Sequence, residues 1–208
     1  MGFSTLIDIL GSTLIGGMLL LILIRLNDAG VENTYMYGGE LIVQQNLVDV
    51  VSLLEHDFRK IGFCADWVKL KNSLDYIVEA DSNRIKFLTD IESDGIVDSI
   101  TYYTGPTSEL PMTPNPRDKL LYRVENDNAP GGSNLGITQF SLEYFDSFGN
   151  KLTCPVASPS LIQTMQINIR VEDVYGYDID NADKSEGDKY STAFWRQIRL
   201  AARNLKNR

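Results

Sequence analysis

Phe3–Ile24 reads FSTLIDILGSTLIGGMLLLILI, and this stretch decides the architecture. At roughly 1.5 Å per residue a helix of this length covers about 33 Å, enough for a hydrocarbon core about 30 Å thick. A secretory signal peptide would open with Lys or Arg, use a shorter apolar stretch and end at a small-residue site. Here the first basic residue is Arg25, and Leu26-Asn27-Asp28-Ala29 is a poor cleavage site. The next cysteine is as far away as Cys64, which excludes lipoprotein processing. The reading is a retained membrane helix over residues 3–26. Asp8 is the single charge of Phe3–Ile24. A carboxylate near a bilayer centre costs at least about 3 kcal/mol, so Asp8 either lies near the helix end and reaches interfacial water or pairs with a cation such as a neighbouring subunit's α-amino group. Gly11, Gly16 and Gly17 each weaken the helix by up to about 1 kcal/mol relative to Ala. They serve either close helix packing or a stretch that unwinds.

Working outward, an amphipathic pattern follows. Leu47, Val51, Leu54, Phe58 and Ile61 recur at alternating four and three residues, forming one apolar stripe suited to packing on a sheet. Asp49, Glu55, Asp57, Arg59 and Lys60 mostly fall away from it, toward solvent. Gly62 is placed to end the helix. Asn27–Gly39 is polar and holds Gly30, Gly38 and Gly39, which predicts a frayed or kinked helix. Residues 27–62 are thus expected to carry the helix into a head spanning 63–208.

The head alternates strand and turn signals. Arg84–Thr89 and Ser99–Thr104 flank the turn-rich Glu92-Ser93-Asp94-Gly95, as a hairpin would. Lys119–Val124 is a further strand, and Glu125–Gly136, with Pro130, Gly131 and Gly132, reads as a loop. Ile137–Phe145 and Ile162–Val171 alternate with period two, so that Met165, Ile167, Ile169 and Val171 share a face. Ser147-Phe148-Gly149-Asn150 is a turn. Trp195–Leu200 closes the set, with Ile198 and Leu200 on one side. Sequential strands and short turns predict an antiparallel meander covered by the helical stripe, an α+β fold. There is no internal repeat and no low-complexity tract.

Composition bounds function. The chain has 208 residues and a net charge of −9, which argues against a surface for nucleic acid or anionic lipid. Cys64 and Cys154 fit no metal-ligand spacing. They form a single disulfide if the head lies outside the cytoplasm, or else remain two buried thiols. His56 is the only histidine and sits on the helix beside the stripe, so no Ser/His/Asp or Cys/His set assembles locally. No Gly-rich phosphate loop follows a strand, and carboxylates at this density make a soluble surface. The expectation is a protein that is not an enzyme and carries no cofactor. One metal reading stands beside that. Asp90-Ile91-Glu92-Ser93-Asp94-Gly95 places oxygen ligands at alternate positions before a turning glycine, with Asp98 a further candidate, as calcium loops do. Thr101 occupies the twelfth position, so it is not an EF-hand loop, and an ordinary Asp/Gly hairpin turn explains the same residues. A second acidic group, Asp178, Asp180, Asp183, Glu186 and Asp188, has looser spacing and reads as a solvated loop.

Three segments carry a resemblance. Gly2-Phe3-Ser4-Thr5-Leu6-Ile7-Asp8 precedes the apolar run, Leu53-Leu54-Glu55-His56-Asp57-Phe58-Arg59-Lys60-Ile61-Gly62-Phe63-Cys64 ends the helix, and Arg203-Asn204-Leu205 lies near the C-terminus. Over nearly its whole length the chain resembles type IV pilin-like proteins, and is most similar to the minor pilins and minor pseudopilins of type IV pilus and type II secretion systems. The resemblance implies a leader, residues 1–2, removed by a prepilin peptidase between Gly2 and Phe3, with methylation of the new N-terminus. It implies assembly through Asp8, Gly16 and Gly17, with Asp8 neutralising the α-amino group of an adjacent subunit. It also implies a non-enzymatic filament subunit, priming assembly or sitting at the tip. Its partners would be other pilin or pseudopilin subunits and an inner-membrane assembly platform, with no nucleic acid. The head would lie in the periplasm of a bacterium, or on the cell-surface filament. The chain departs from the family in two places. The leader is only Met1-Gly2, with no basic residues, and the carboxylate would be sixth after the cut rather than fifth, which turns it by about 100°. The competing expectation is a single-pass, membrane-anchored extracytoplasmic binding module that never polymerises.

Overall fold

The computed structural model describes residues 2–70, 76–126, 128–175, 190 and 192–200, with side chains described in the last segment for Trp195 alone. Met1, the acidic residues 178–188, the Arg203-Asn204-Leu205 segment and the side chains of Ile198 and Leu200 lie outside that set.

One helix, α1, runs unbroken from Gly2 to Arg59. At about 1.5 Å per residue it is roughly 87 Å long. The fray or kink expected over Asn27–Gly39 is absent, because each added residue contributes one backbone hydrogen bond once a helix exists. The isolated glycines weaken that ladder without breaking it, and the Thr34 hydroxyl bonds back to the Gly30 carbonyl at 2.9 Å. The helix stops where the stripe ends. Lys60–Gly62 forms a turn, with Gly62 at φ 71°. A Cβ there would lie 2.4 Å from the Tyr76 ring, so both conformation and space require glycine.

Seven strands follow: β1 (Ile77–Ala80), β2 (Arg84–Thr89), β3 (Asp98–Thr104), β4 (Lys119–Glu125), β5 (Gly131–Phe145), β6 (Thr164–Glu172) and β7 (Thr192–Leu200). They form one sheet in sequence order, every neighbouring pair antiparallel. The expected meander and α+β class are therefore observed. Two strand readings change. The four-residue β1 is too short to announce itself by alternation. β5 begins at Gly131, inside the stretch read as a loop, because the Tyr122 ring of β4 lies over the neighbouring glycine. A Cβ on Gly132 would approach that ring to 2.7 Å, so glycine here permits close cross-strand packing rather than a turn. The sheet curls. The Leu142 amide donates to the Ser82 carbonyl (2.7 Å) and the Val156 amide to the Ala80 carbonyl (2.8 Å), while the Tyr144 hydroxyl reaches the Asp81 carbonyl (2.9 Å).

The second half of α1 lies across the inner face of the curl, touching β5, β6 and β7. Leu54, Phe58 and Ile61 of the stripe are fully buried, and Leu47 and Val51 pack at its margin. Val43 and Val50 join them. Phe58 meets Phe87 and Tyr102 edge-on at 5.5 and 5.6 Å between centroids. Met165, Ile167, Ile169 and Val171 are all buried, as the period-two pattern requires. Burying each large side chain contributes about 1.5–3 kcal/mol.

Candidate functional site

Two regions of α1 behave differently. Every residue from Gly2 to Tyr35 is exposed, so no face of the first half is covered by the rest of the described chain. Between Phe3 and Ile24 this leaves large apolar side chains such as Leu6, Ile9, Leu14, Met18 and Leu21 in the open. A helix apolar all round is stable only when something surrounds it. Shielding fourteen such side chains is worth about 20–40 kcal/mol, far more than a domain's net stability of about 5–15 kcal/mol. The helix is long and apolar enough to cross a membrane, as an anchor or a signal sequence. Within it, Gly11, Gly16 and Gly17 have no atom within 4 Å of a built Cβ. Each leaves the backbone bare at one point of the rod, and small residues of this kind allow another helix to approach closely. Asp8 is exposed, nearly two turns from the start of the helix. The Ser12 and Thr13 hydroxyls donate to the Ile9 carbonyl at 2.9 and 3.0 Å, which hides their polarity from an apolar surrounding. Gly2 and Phe3, the residues flanking the expected cut, lie on this projecting helix.

The second half of α1 carries a polar anchor that the periodicity did not reveal. Asp57 is only 3% exposed, a correction to its expected solvent position. Its Oδ2 accepts from the Tyr102 hydroxyl (2.6 Å) and from Arg123 Nε (2.7 Å), and Arg123 also bonds Glu125. Burial opposes the Arg123 charge, but the bonds from Asp57 and Glu125 outweigh it and hold the guanidinium above its usual pKa. Burial first, then the Asp57 charge, pushes the Tyr102 hydroxyl up as well, so Tyr102 stays a donor. The one sequence signal was register, since Val43, Val50 and Asp57 follow at seven-residue intervals. Arg123 lies 66 residues from Asp57 in the chain, and nothing local announces the pairing.

The proposed calcium residues are engaged by backbone amides and by Asn126. Asp90 is buried and accepts from the amides of Ala65 (3.0 Å), Asp94 (3.1 Å) and Gly95 (2.9 Å). Burial pushes its pKa up, and these amides pull it further down, below the usual carboxylate value. Asp94 accepts from the Ile96 amide, and Asp98 from the Ile91 amide and the Asn126 side chain. Glu92 is exposed. Among the described residues no three His, Cys, Asp or Glu side chains are grouped so as to hold a metal. The carboxylates brace a turn, with Ser93 and Gly95 at φ 61° and 81°.

Cys64 and Cys154 are free thiols, so the expected bond is not formed. They belong to opposite ends of β2. The Phe63 carbonyl beside Cys64 accepts from Asp90, just past the end of β2, whereas Val156, near Cys154, bonds Ala80, before its start. Strand spacing separates those two anchor points by roughly 17 Å, whereas a disulfide joins Cα atoms about 4.4–6.8 Å apart. Burial pushes the Cys154 thiol up, which keeps it protonated and unreactive at neutral pH. His56 is exposed.

A third polar group was missed altogether. Glu172, at the end of β6, accepts from Asn115 (3.1 Å) and from Arg117 (3.0 and 2.7 Å). Asp118 next to it is 1% exposed, and neither of its carboxylate oxygens has a partner at good hydrogen-bond geometry, since the nearby Thr113 hydroxyl donates to the Leu110 carbonyl at 2.9 Å. Burial chiefly, with Glu172 and Asp173 adding to it, pushes Asp118 up to about 6 against the nearby Thr113 and Arg117. A cleft of about 310 Å³ lies at the helix–head junction, lined by Tyr35, Gly38, Gly39, Asp173 and Tyr175 among others. Another, of about 460 Å³, is lined by residues including Ser82, Glu143, Lys151 and Cys154. In the second, Lys151 Nζ pairs with Glu143 at 2.7 Å.

No protein-family model, curated protein or solved structure matches the chain.

Proposed function

We propose that the chain is a non-enzymatic structural subunit of a pilin-like filament, a minor pilin or pseudopilin that primes assembly or occupies the tip. One observation carries this reading. A single helix is fully exposed and apolar over its first half, then enters a β-meander head without a break. A freely tethered domain needs a linker between anchor and head. Here anchor and head share one rigid rod, so whatever surrounds the apolar half fixes the position and orientation of the head. That is what a subunit passing from a bilayer to a helical bundle requires, since both environments accept the same apolar surface. In this reading residues 3–26 form the membrane and filament-core helix, 27–62 carry it into the head, and the head projects from the outer face of a bacterial inner membrane into the periplasm or onto a cell-surface filament. The partners are sister pilin subunits, an assembly platform and a prepilin peptidase acting between Gly2 and Phe3. The head is assigned no cofactor.

N-terminal mass spectrometry of the full chain purified from a host bearing a prepilin peptidase tests the proposal. A mature chain beginning at N-methylated Phe3 is expected. An intact Met1, together with absence of the chain from sheared filaments, would replace this reading with a membrane-anchored extracytoplasmic binding module.

A further inference from the structure

We infer that the cleft between the Ser82 turn, β5 and residues 151–154 is a binding site for a neutral saccharide of about one or two hexose units. Its walls are fixed by the backbone. The Leu142 amide donates to the Ser82 carbonyl (2.7 Å), and the Leu152 amide donates to the Tyr144 carbonyl (2.8 Å). Phe145 and Lys151 form a further antiparallel bridge. Three segments are thereby held around an opening of about 460 Å³, a size that suits a small ligand. Its polar groups are largely uncommitted. The Ser82 and Thr153 hydroxyls line the cleft, and neither is engaged by another described residue. Ser141 Oγ accepts from the Asn168 side chain at 3.4 Å and keeps its own proton to donate. Lys151 Nζ donates to Glu143 Oε1 at 2.7 Å, which leaves further ammonium hydrogens and the second carboxylate oxygen to offer. Asp81, beside the cleft, is turned to the Ser82 amide (2.6 Å).

The paired charges select the ligand. An anion would draw Lys151 away from Glu143, and a cation would draw Glu143 away from Lys151. Either leaves one charge of the pair behind. A hydroxyl does neither, because it accepts from Lys151 and donates to Glu143 while the pair stays closed. Neighbouring hydroxyls on a pyranose ring repeat that double role toward Ser82, Ser141 and Thr153. The apolar part of the cleft is aliphatic, Leu142 and Leu152, which suits the C–H face of a sugar. An aromatic ligand finds no ring among the lining residues to stack on. This site is independent of the filament reading, because an anchored module that never polymerises would carry it equally.

Amide NMR spectra of the full chain in zwitterionic detergent, titrated with lactose, cellobiose, maltose and diacetylchitobiose, test the inference. At least one of these sugars is expected to saturate with a Kd of about 1–10 mM, since water competes for every hydroxyl. The shifts should centre on the amides of Ser82, Ser141 and Thr153. Added salt should leave the affinity nearly unchanged, and glucuronate should shift those amides less than glucose at equal concentration. Thr153→Val keeps the shape and removes the hydroxyl, so it should weaken the tightest disaccharide about three- to tenfold. Ser82→Ala should do the same, and both positions are exposed, so the far-ultraviolet spectrum should not change. No saturation by any of the disaccharides up to about 50 mM overturns the inference. So do shifts confined to other parts of the head, undiminished binding by both variants, or glucuronate binding as tightly as glucose.

Discussion

Removing the Asp57 carboxylate strands two partners at once, the Arg123 guanidinium and the Tyr102 hydroxyl. Breaking a buried pair from one side costs about 3–5 kcal/mol, mostly because the other charge remains buried alone. Asp57→Ala in the full chain should therefore lower the unfolding free energy, read from denaturant titration, by that amount. Combining it with Arg123→Met should recover about half or more, since no charge is then left unpaired. A single-mutant loss below about 1 kcal/mol would place the pair with ordinary surface bridges. Asp118 is the opposite case, a buried carboxylate that Thr113 and Arg117 only partly compensate. Its carboxyl is pushed up to about 6 from the ordinary 3.8, so the folded chain keeps a proton that the unfolded chain has released. Between those values the native state binds more protons, and stability falls as pH rises. Asp118→Asn carries no charge at any pH. It should leave stability near pH 4 unchanged and raise it near pH 7.5 by about 1–3 kcal/mol, the usual cost of a buried group that is not fully satisfied. Urea midpoints at the two pH values check this, and an equal shift at both would show that Asp118 is ionised and solvated in the native state.

At the scale of elements, the helix and most strands were legible because each is a periodic object. The stripe ending at Ile61 and the alternation through Met165–Val171 name their own faces, and both faces are buried as read. What periodicity does not carry is pairing between distant segments. Arg123 opposite Asp57, Arg117 against Glu172 and the Ser82 turn closing on Leu142 are properties of the curl, and the curl is set by all seven strands together. Glycine was misread for a related reason. Gly132 serves a neighbouring ring on the next strand, and Gly30 serves nothing that the structure shows. The second point is testable. Gly30 and Gly38 have no atom within 4 Å of a built Cβ, so Gly30→Ala and Gly38→Ala should each add up to about 1 kcal/mol of helix stability. Gly39→Ala differs by one position, yet its Cβ would stand 3.1 Å from Asp173 Oδ2, so it should give less stabilisation or none. Helicity by circular dichroism during thermal melting separates the three. Lower helicity in Gly30→Ala would mean that α1 breaks there in solution.

For the whole molecule the governing fact is a rod whose two halves differ, one apolar and exposed and the other packed on the sheet. The head-bearing half is satisfied within the chain, through the Phe58 core and the Asp57 pair. The apolar half is satisfied by nothing within the described chain, so its surroundings decide where the protein resides. Asp8 makes that dependence measurable, because its charge discriminates between surroundings that leucine cannot tell apart. At a bilayer edge it meets water, and Asp8→Asn should leave both membrane retention and assembly near normal. Inside a helical bundle it needs a cation, and the proposed one is the α-amino group of an adjacent subunit. Asp8→Asn is nearly isosteric but would strand that amine, a loss of about 3–5 kcal/mol. An assembling subunit should then fall out of the filament by more than about a hundredfold. Asp8→Glu keeps the charge on a longer arm, so it should assemble. Its extra reach would also relieve the offset of about 100° that one additional helical residue introduces. The experiment compares how much of each variant co-purifies with sheared filaments while the membrane fraction is held equal. Loss in Asn with retention in Glu supports the ion pair. Equal recovery of Asn and the unmodified chain would show that the carboxylate only touches interfacial water, and that any assembly of this helix rests on its apolar surface and the close approach allowed at Gly16 and Gly17.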